Sequence, residues 1–154
     1  MIAYRPAEAA DVAWIGPRLR PADVAEVAAS SGIPAARGLA LSHAASSMAI
    51  TAEADGEPAA MFGVVPGSAL LGEAVIWMLA TPAADRQARA WLREAPQWIA
   101  LLGDGWRVLR NHVDVRNRAS VRWLVRMGFR LEPAVPFGVE GRPFYPFWKE
   151  VGHV

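Results

Sequence analysis

Residues 74–80, Ala-Val-Ile-Trp-Met-Leu-Ala, form an unbroken apolar run between Gly72 and Pro82. A run of this length bounded by chain breakers predicts a central strand buried on both faces. Such a strand needs cover from packed elements. From Ala83 onward, Ala84, Ala88, Trp91, Leu92, Ala95, Trp98, Ile99 and Leu102 recur at helical spacing on one side. Pro96 is expected to kink this helix or end its first half, and Gly103-Asp104-Gly105 closes it.

The rest of the chain fits around that pair. Met1 to Arg5 reads as an edge strand. Arg20-Pro21-Ala22-Asp23 reads as a helix start, with Pro early and Asp23 and Glu26 near the positive end of the dipole, and Gly32 stops that helix. A second helix is expected over Ala36–Ser47. Met48–Ala54 and Pro58–Val65 are short apolar runs split by Asp55-Gly56, a hairpin signal because both turn residues tolerate positive φ. Trp106 to Val115 alternates, placing Leu109, Asn111, Val113 and Val115 on one face and Arg110, His112 and Asp114 on the other. A helix then runs from Asn117 to Met127, with Val121, Leu124 and Val125 inward, and Gly128 ends it. Two last strands are expected around Arg130–Val135 and Phe144–Val151. The interleaving indicates one layered α/β (α+β) domain over residues 1–154, with a mixed, mostly antiparallel sheet of about six to seven strands and about four flanking helices.

Composition excludes several functions. The chain has 53% hydrophobic residues and no cysteine, so disulfides, thiolate nucleophiles and cysteine-containing zinc sites are absent. His43, His112 and His153 fall in different elements, which gives no metal cluster. No Gly-Lys-Ser/Thr phosphate loop and no Gly-x-Ser-x-Gly elbow occurs. No apolar stretch is long enough to span a membrane, and Arg5, Glu8 and Asp11 interrupt any leader-like run, so a cytoplasmic protein is expected. The net charge of +1 conceals ten arginines against three acids between Arg86 and Arg130. That segment suits an anionic partner or is a solvated basic face. Nucleic acid is the weaker choice, because Trp77, Trp91, Trp98 and Trp123 occupy core-like positions rather than a stacking platform.

The segment from Val113 to Phe129, with Asn117, a small residue at Ser120 and closing Gly128-Phe129, resembles the signature of the GNAT acyltransferases. The buried strand followed by a long helix sits where that family places its acetyl-CoA pyrophosphate element. In finer detail the spacing is similar to short GNAT-like proteins encoded by tailed phages, some of them linked to internal virion components. The resemblance implies acetyl-CoA as cofactor, no metal, and direct acetyl transfer to a small-molecule or peptide amine. The alternative is a catalytically degenerate relative with a structural or interaction role, with phage virion proteins as partners and the host cytoplasm or the particle as its place.

Residue by residue, the resemblance assigns cofactor contacts to Met78, Leu79 and Ala80 of the buried strand, and to Arg86, Arg89, Asn117 and Ser120. A helix N-terminus suits a pyrophosphate, but the usual glycines of the loop are missing from Thr81–Arg89, and Asp85 brings the wrong charge. Arg86 and Arg89 either grip phosphate or are exposed helix residues. Asn117 either reaches the cofactor or caps its helix. Leu124 stands where many members carry a Tyr that protonates the leaving thiolate, and leucine cannot donate a proton. Candidate catalytic groups are Glu73 (or a loop carboxylate), His112 (oriented by Asp114, or part of a surface pair with Arg110) and Tyr145 as substitute acid. Phe137, Phe144, Tyr145, Phe147 and Trp148 concentrate aromatics near the end, to cap the core, line an acceptor pocket or form a homodimer interface.

Overall fold

The apolar run is a strand at the middle of one sheet. The computed structural model describes residues 1–152. In chain order the elements are β1 (Ile2–Pro6), α1 (Ala9–Ile15), a 3-10 turn (Gly16–Arg18), α2 (Pro21–Ser31), α3 (Ala35–Ala45), β2 (Met48–Ala54), β3 (Glu57–Pro66) and β4 (Glu73–Ala80). There follow α4 (Pro82–Asp85), α5 (Ala88–Leu102), β5 (Val108–Asp114), α6 (Arg118–Arg126), β6 (Arg130–Leu131), β7 (Val135–Phe137) and β8 (Arg142–Glu150).

The sheet runs β1-β2-β3-β4-β5-β8-β6, with β7 on another stretch of β8. Only β4 and β5 are parallel. The alternation within β4 divides the core. Ile76 and Ala80 face a cluster with Ile99, Leu102 and Leu124, which α5 and α6 cover. Trp77 and Leu79 face a second cluster with Ile15, Leu19, Ala35 and Leu39, which the N-terminal helices cover. The β2–β3 turn holds Asp55 at φ 51° and Gly56 at φ 86°, the geometry the hairpin requires.

Several details differ from the sequence reading. The sheet has eight strands because the final segment is divided among β6, β7 and β8. Helix α1 carries no clear apolar stripe, since its buried Asp11 turns inward to accept from Thr51 Oγ1 at 2.9 Å and to pair with Arg5 at 2.7 Å. The break in the long helix falls at Arg86-Gln87 and not at Pro96, which lies inside α5. Pro96 is exposed, so the carbonyl deprived of its helical donor sits where water can replace it. On α6 Val121 and Leu124 face inward as expected, joined by Ser120, Trp123 and the capping Met127, whereas Val125 is 59% exposed. Among the described residues no helix is long and apolar enough to cross a membrane.

Candidate active site

The parallel pairing of β4 and β5 lasts for only three residue pairs, Glu73–Val108 to Val75–Arg110, and then the strands separate. Strand alternation directs the N–H and C=O groups of Ala74, Ile76, Met78 and Ala80 toward the β5 side. The Ile76 carbonyl accepts from Asn111 Nδ2 at 2.7 Å, which caps the first freed group. At the far end, the Ala80 N–H donates to Asp23 Oδ2 at 3.0 Å and its carbonyl accepts from the Arg20 N–H at 2.8 Å. Met78 lies between them, its main chain facing the gap.

A cavity of about 490 Å³ passes through this opening. On the side of α2 and α3 it is lined by Glu26, Val27, Leu79, His112 and Phe137; on the side of α5 and α6, by Trp91, Trp98, Ser120 and Leu124. A second cavity of about 320 Å³ shares Met78, Trp91, Ser120 and Trp123 with the first and opens between Arg20, Asp85, Gln87, Arg122 and Arg126. Trp91 and Trp123 stack between the two helices, centroids 5.7 Å apart and planes within 10°, and both indole N–H groups are buried without a hydrogen-bond partner. The result is one passage with an arginine-bearing mouth, an aromatic waist and a chamber carrying a carboxyl and an imidazole.

The chamber's two titratable groups are both shifted. His112 stacks on Phe137 with centroids 3.9 Å apart, and burial together with the Arg110 cation holds its pKa below the usual imidazole value. It is therefore neutral at pH 7, the form able to accept a proton. Glu26 Oε1 accepts from the Asp114 N–H at 2.7 Å. Burial, reinforced by the nearby Asp23 and Asp114 carboxylates, pushes its pKa up to about 7. The folded protein thus holds the Glu26 proton more tightly than the unfolded chain, so its contribution falls as pH rises from about 4.5 to about 7. We expect Glu26→Gln, which keeps an acceptor for Asp114, to stabilise the protein by about 2 kcal/mol at pH 8 and by little at pH 4. Urea unfolding at the two pH values checks this, and an equal gap at both would contradict it.

The structure brings only some of the sequence candidates together. His112, Met78, Leu79 and Ser120 line the main cavity; Met78, Ala80 and Ser120 line the second. Asp114 does not orient His112, because Arg116 holds its carboxylate at 2.7 Å. Glu73 pairs with Arg110 at 3.0 Å at the closed end of the β4–β5 ladder and lines neither cavity. Tyr145 stands on β8 opposite Val113, packed against the α5–α6 core and away from the chamber. Arg86, on the turn after α4, and Arg89, in the first turn of α5, are exposed and outside both linings. Asn117 is buried and makes no side-chain cap; its Nδ2 donates to Asp23 Oδ1 at 3.3 Å. His153 lies outside the described residues. The sequence reading did not place Glu26, Arg122, Arg126 or the Trp91–Trp123 pair at a site. Their only signals were i, i+4 spacing on a basic helix and a second acid, after Asp23, in an apolar helix.

No protein-family model matches the chain, and no curated protein matches it. Solved structures do. The ribosomal-protein-S18-alanine N-acetyltransferase from Escherichia coli superposes with a TM-score of 0.65 at 18% identity, covering 100% of this chain and 96% of that one. An acetyltransferase of the GNAT family from Streptococcus pneumoniae gives 0.64 at 16% identity, covering 99% and 100%. Spermidine N-acetyltransferase from Vibrio cholerae, solved with CoA and spermine, gives 0.69 at 15% identity, covering 97% and 95%. The chain has the fold of these acetyltransferases.

Proposed function

We propose that this protein is a GNAT-type N-acyltransferase that moves an acetyl group from acetyl-CoA directly to an amine. The observation that carries the reading is the separation of β4 from β5, which leaves the Met78 main chain facing a passage from an arginine-bearing mouth to a chamber with an imidazole neutral at pH 7. The passage suits a long ligand with anionic groups at one end and a reactive group at the other. The similar enzyme from Vibrio cholerae was solved with CoA in place.

In this reading the Met78 N–H and C=O hold the pantetheine arm, with Leu79 and Ser120 along the same wall, and Arg122 and Arg126 receive phosphate. Arg86 and Arg89, outside both linings, act only at longer range, and Ala80 and Asn117 are bonded to Asp23. Acetyl-CoA supplies the activated acyl group. His112 takes the proton from the acceptor ammonium, directly or through one water, so that the amine lone pair is free to attack. With Leu124 buried in place of an acid, α6 would supply no proton as the amine nitrogen bonds to the acetyl carbon and the C–S bond breaks; the second proton of that nitrogen would pass to the departing sulfur through water. Glu73 and Tyr145, which lie outside the chamber, are given no step in this reading. Positioning carries much of the rate, since holding two reactants together is worth roughly 7–11 kcal/mol in well-oriented cases.

The test is release of CoA thiol from acetyl-CoA with a panel of amines, followed by mass detection of the acetylated product. Turnover that is lost in His112→Ala supports the reading, and no turnover with any amine opposes it. Arg122→Ala and Arg126→Ala should each weaken acetyl-CoA binding roughly tenfold, about 1.4 kcal/mol, whereas Arg86→Ala should change it less. Titration calorimetry checks this order.

A second reading is favoured by one observation. Asp23 occupies both Ala80 and Asn117, two of the groups the family resemblance gives to the cofactor. A protein that kept the fold as a scaffold, virion-associated in the phage version of the resemblance, would be free to make that bond permanent. Such a protein would bind no acetyl-CoA.

A further inference from the structure

Resting on the acyltransfer reading, the chamber itself restricts the acceptor. Its α2–α3 wall carries one carboxylate, Glu26, and one imidazole, His112, with no lysine or arginine among the described residues that line it. The other carboxylates nearby are spent: Asp114 on Arg116 and Asp23 on Arg20. His112 and Asp114 project from the same face of β5 two residues apart, roughly 7 Å along a strand. Glu26, bonded to the Asp114 N–H, therefore sits one step along the strand from the imidazole. A cationic head placed between them meets one negative partner and one neutral acceptor.

Much of the remaining wall is apolar, Val27, Ile33, Leu79, Phe137 and Phe144, with Phe137 tilted onto Phe144 at 5.1 Å and stacked on His112; Asn111 is bonded to the Ile76 carbonyl and the His112 N–H, and Ser42 adds one hydroxyl. The polar side chains at the rim offer little to a hydroxylated substrate. Ser30 and Ser31 both donate to the Val27 carbonyl, at 3.2 and 2.8 Å, so their protons are spent on their own helix. A polyamine or an aminoglycoside would bring more charges or hydroxyls than the Ser42 hydroxyl and the Glu26 carboxylate can meet, and burying the rest unpaired is costly. An anionic acceptor would meet Glu26 with no cation.

We infer that the chamber selects a compact primary amine with a single positive charge and an apolar or aromatic body, its ammonium between Glu26 and His112 and its body on Phe137, Phe144 and Leu79. Charge supplies the anchor and the apolar wall supplies the discrimination.

The experiment titrates the full chain, without acetyl-CoA, with 2-phenylethylamine, with spermidine, with an Ala-Ala-Ala peptide amine and with neutral N-acetyl-2-phenylethylamine at pH 8, followed by ligand-observed NMR. Phenylethylamine is expected to bind at least tenfold tighter than the other three. Glu26→Gln, which keeps the bond to Asp114, should weaken it tenfold or more, and Phe137→Ala should do the same by a separate route. Spermidine or the peptide binding as tightly, phenylethylamine binding unchanged in both variants, or no binding of any amine would overturn the inference. Because no CoA is present, loss of amine binding is distinguishable from failure of the transferase reading: a protein that binds phenylethylamine through Glu26 yet never binds acetyl-CoA keeps the chamber and loses the reaction.

Discussion

Asp23→Ala is expected to lower stability by about 3–5 kcal/mol, the cost of breaking a buried hydrogen-bonded charge pair. The side chain is 1% exposed. One oxygen accepts from the Ala80 N–H and from Arg20 Nε, at 3.0 and 3.1 Å; the other accepts from Arg20 and Asn117, at 3.2 and 3.3 Å. It joins α2, the end of β4 and the start of α6 across the gap where no strand pairing does so. Removing it leaves the largely buried Arg20 with only the exposed Asp85, at 3.3 Å, and orphans the Ala80 N–H. A domain of this size has about 5–15 kcal/mol in total, so the melting temperature should fall by roughly 10 °C. Asp23→Asn, which keeps an acceptor for Ala80, should lose about half as much. Thermal unfolding checks both, and a loss below about 1 kcal/mol in the alanine variant would mean the three elements are held by packing alone.

The second large effect concerns His112. His112→Ala should reduce kcat by roughly 10²–10³ at pH 7 with KM little changed, the scale of a lost general base, about 3–4 kcal/mol of barrier. The direction of the pH profile follows from its environment. Burial and Arg110 favour the neutral ring, so the base form persists below the usual imidazole value of 6.5 and kcat falls only as pH drops through that lowered point. Arg110→Ala removes one of the two causes and should move the acid limb of kcat upward in pH. Glu26 titrates near 7, and through acceptor binding its ionisation should appear in kcat/KM and not in kcat. A kcat profile unchanged in Arg110→Ala would take His112 out of the proton path.

Much of the fold was legible because its signals are local. The run at 74–80, the Asp55-Gly56 turn, the Pro21 start and the Gly32 stop each carry their own physics and appear where expected. Helix α1 was hidden because its inward residue is Asp11, satisfied by Arg5 and Thr51 from elsewhere in the chain. The division of the last segment was hidden because β6 and β7 are two and three residues long, and pairing with β8 defines them more than their own pattern. The site shows the same divide. His112 was a candidate through its strand position and Met78 through the family resemblance, whereas Glu26 reaches the chamber only because its helix lies over the strand gap, a contact 88 residues apart in sequence. Asn117 stands at the N-cap position that local pattern indicated but makes no side-chain cap, because its amide is turned to Asp23, 94 residues away in sequence.

The central claim is a working cofactor passage between β4 and β5. Isothermal titration of the full chain with acetyl-CoA, with free CoA as control, tests it most directly. We expect binding in the micromolar range, weakened roughly tenfold by Arg122→Ala and by Arg126→Ala and little changed by Arg86→Ala. No heat and no thermal shift at millimolar acetyl-CoA would contradict it, and the open strand pair would then be the mark of a scaffold and not of an enzyme.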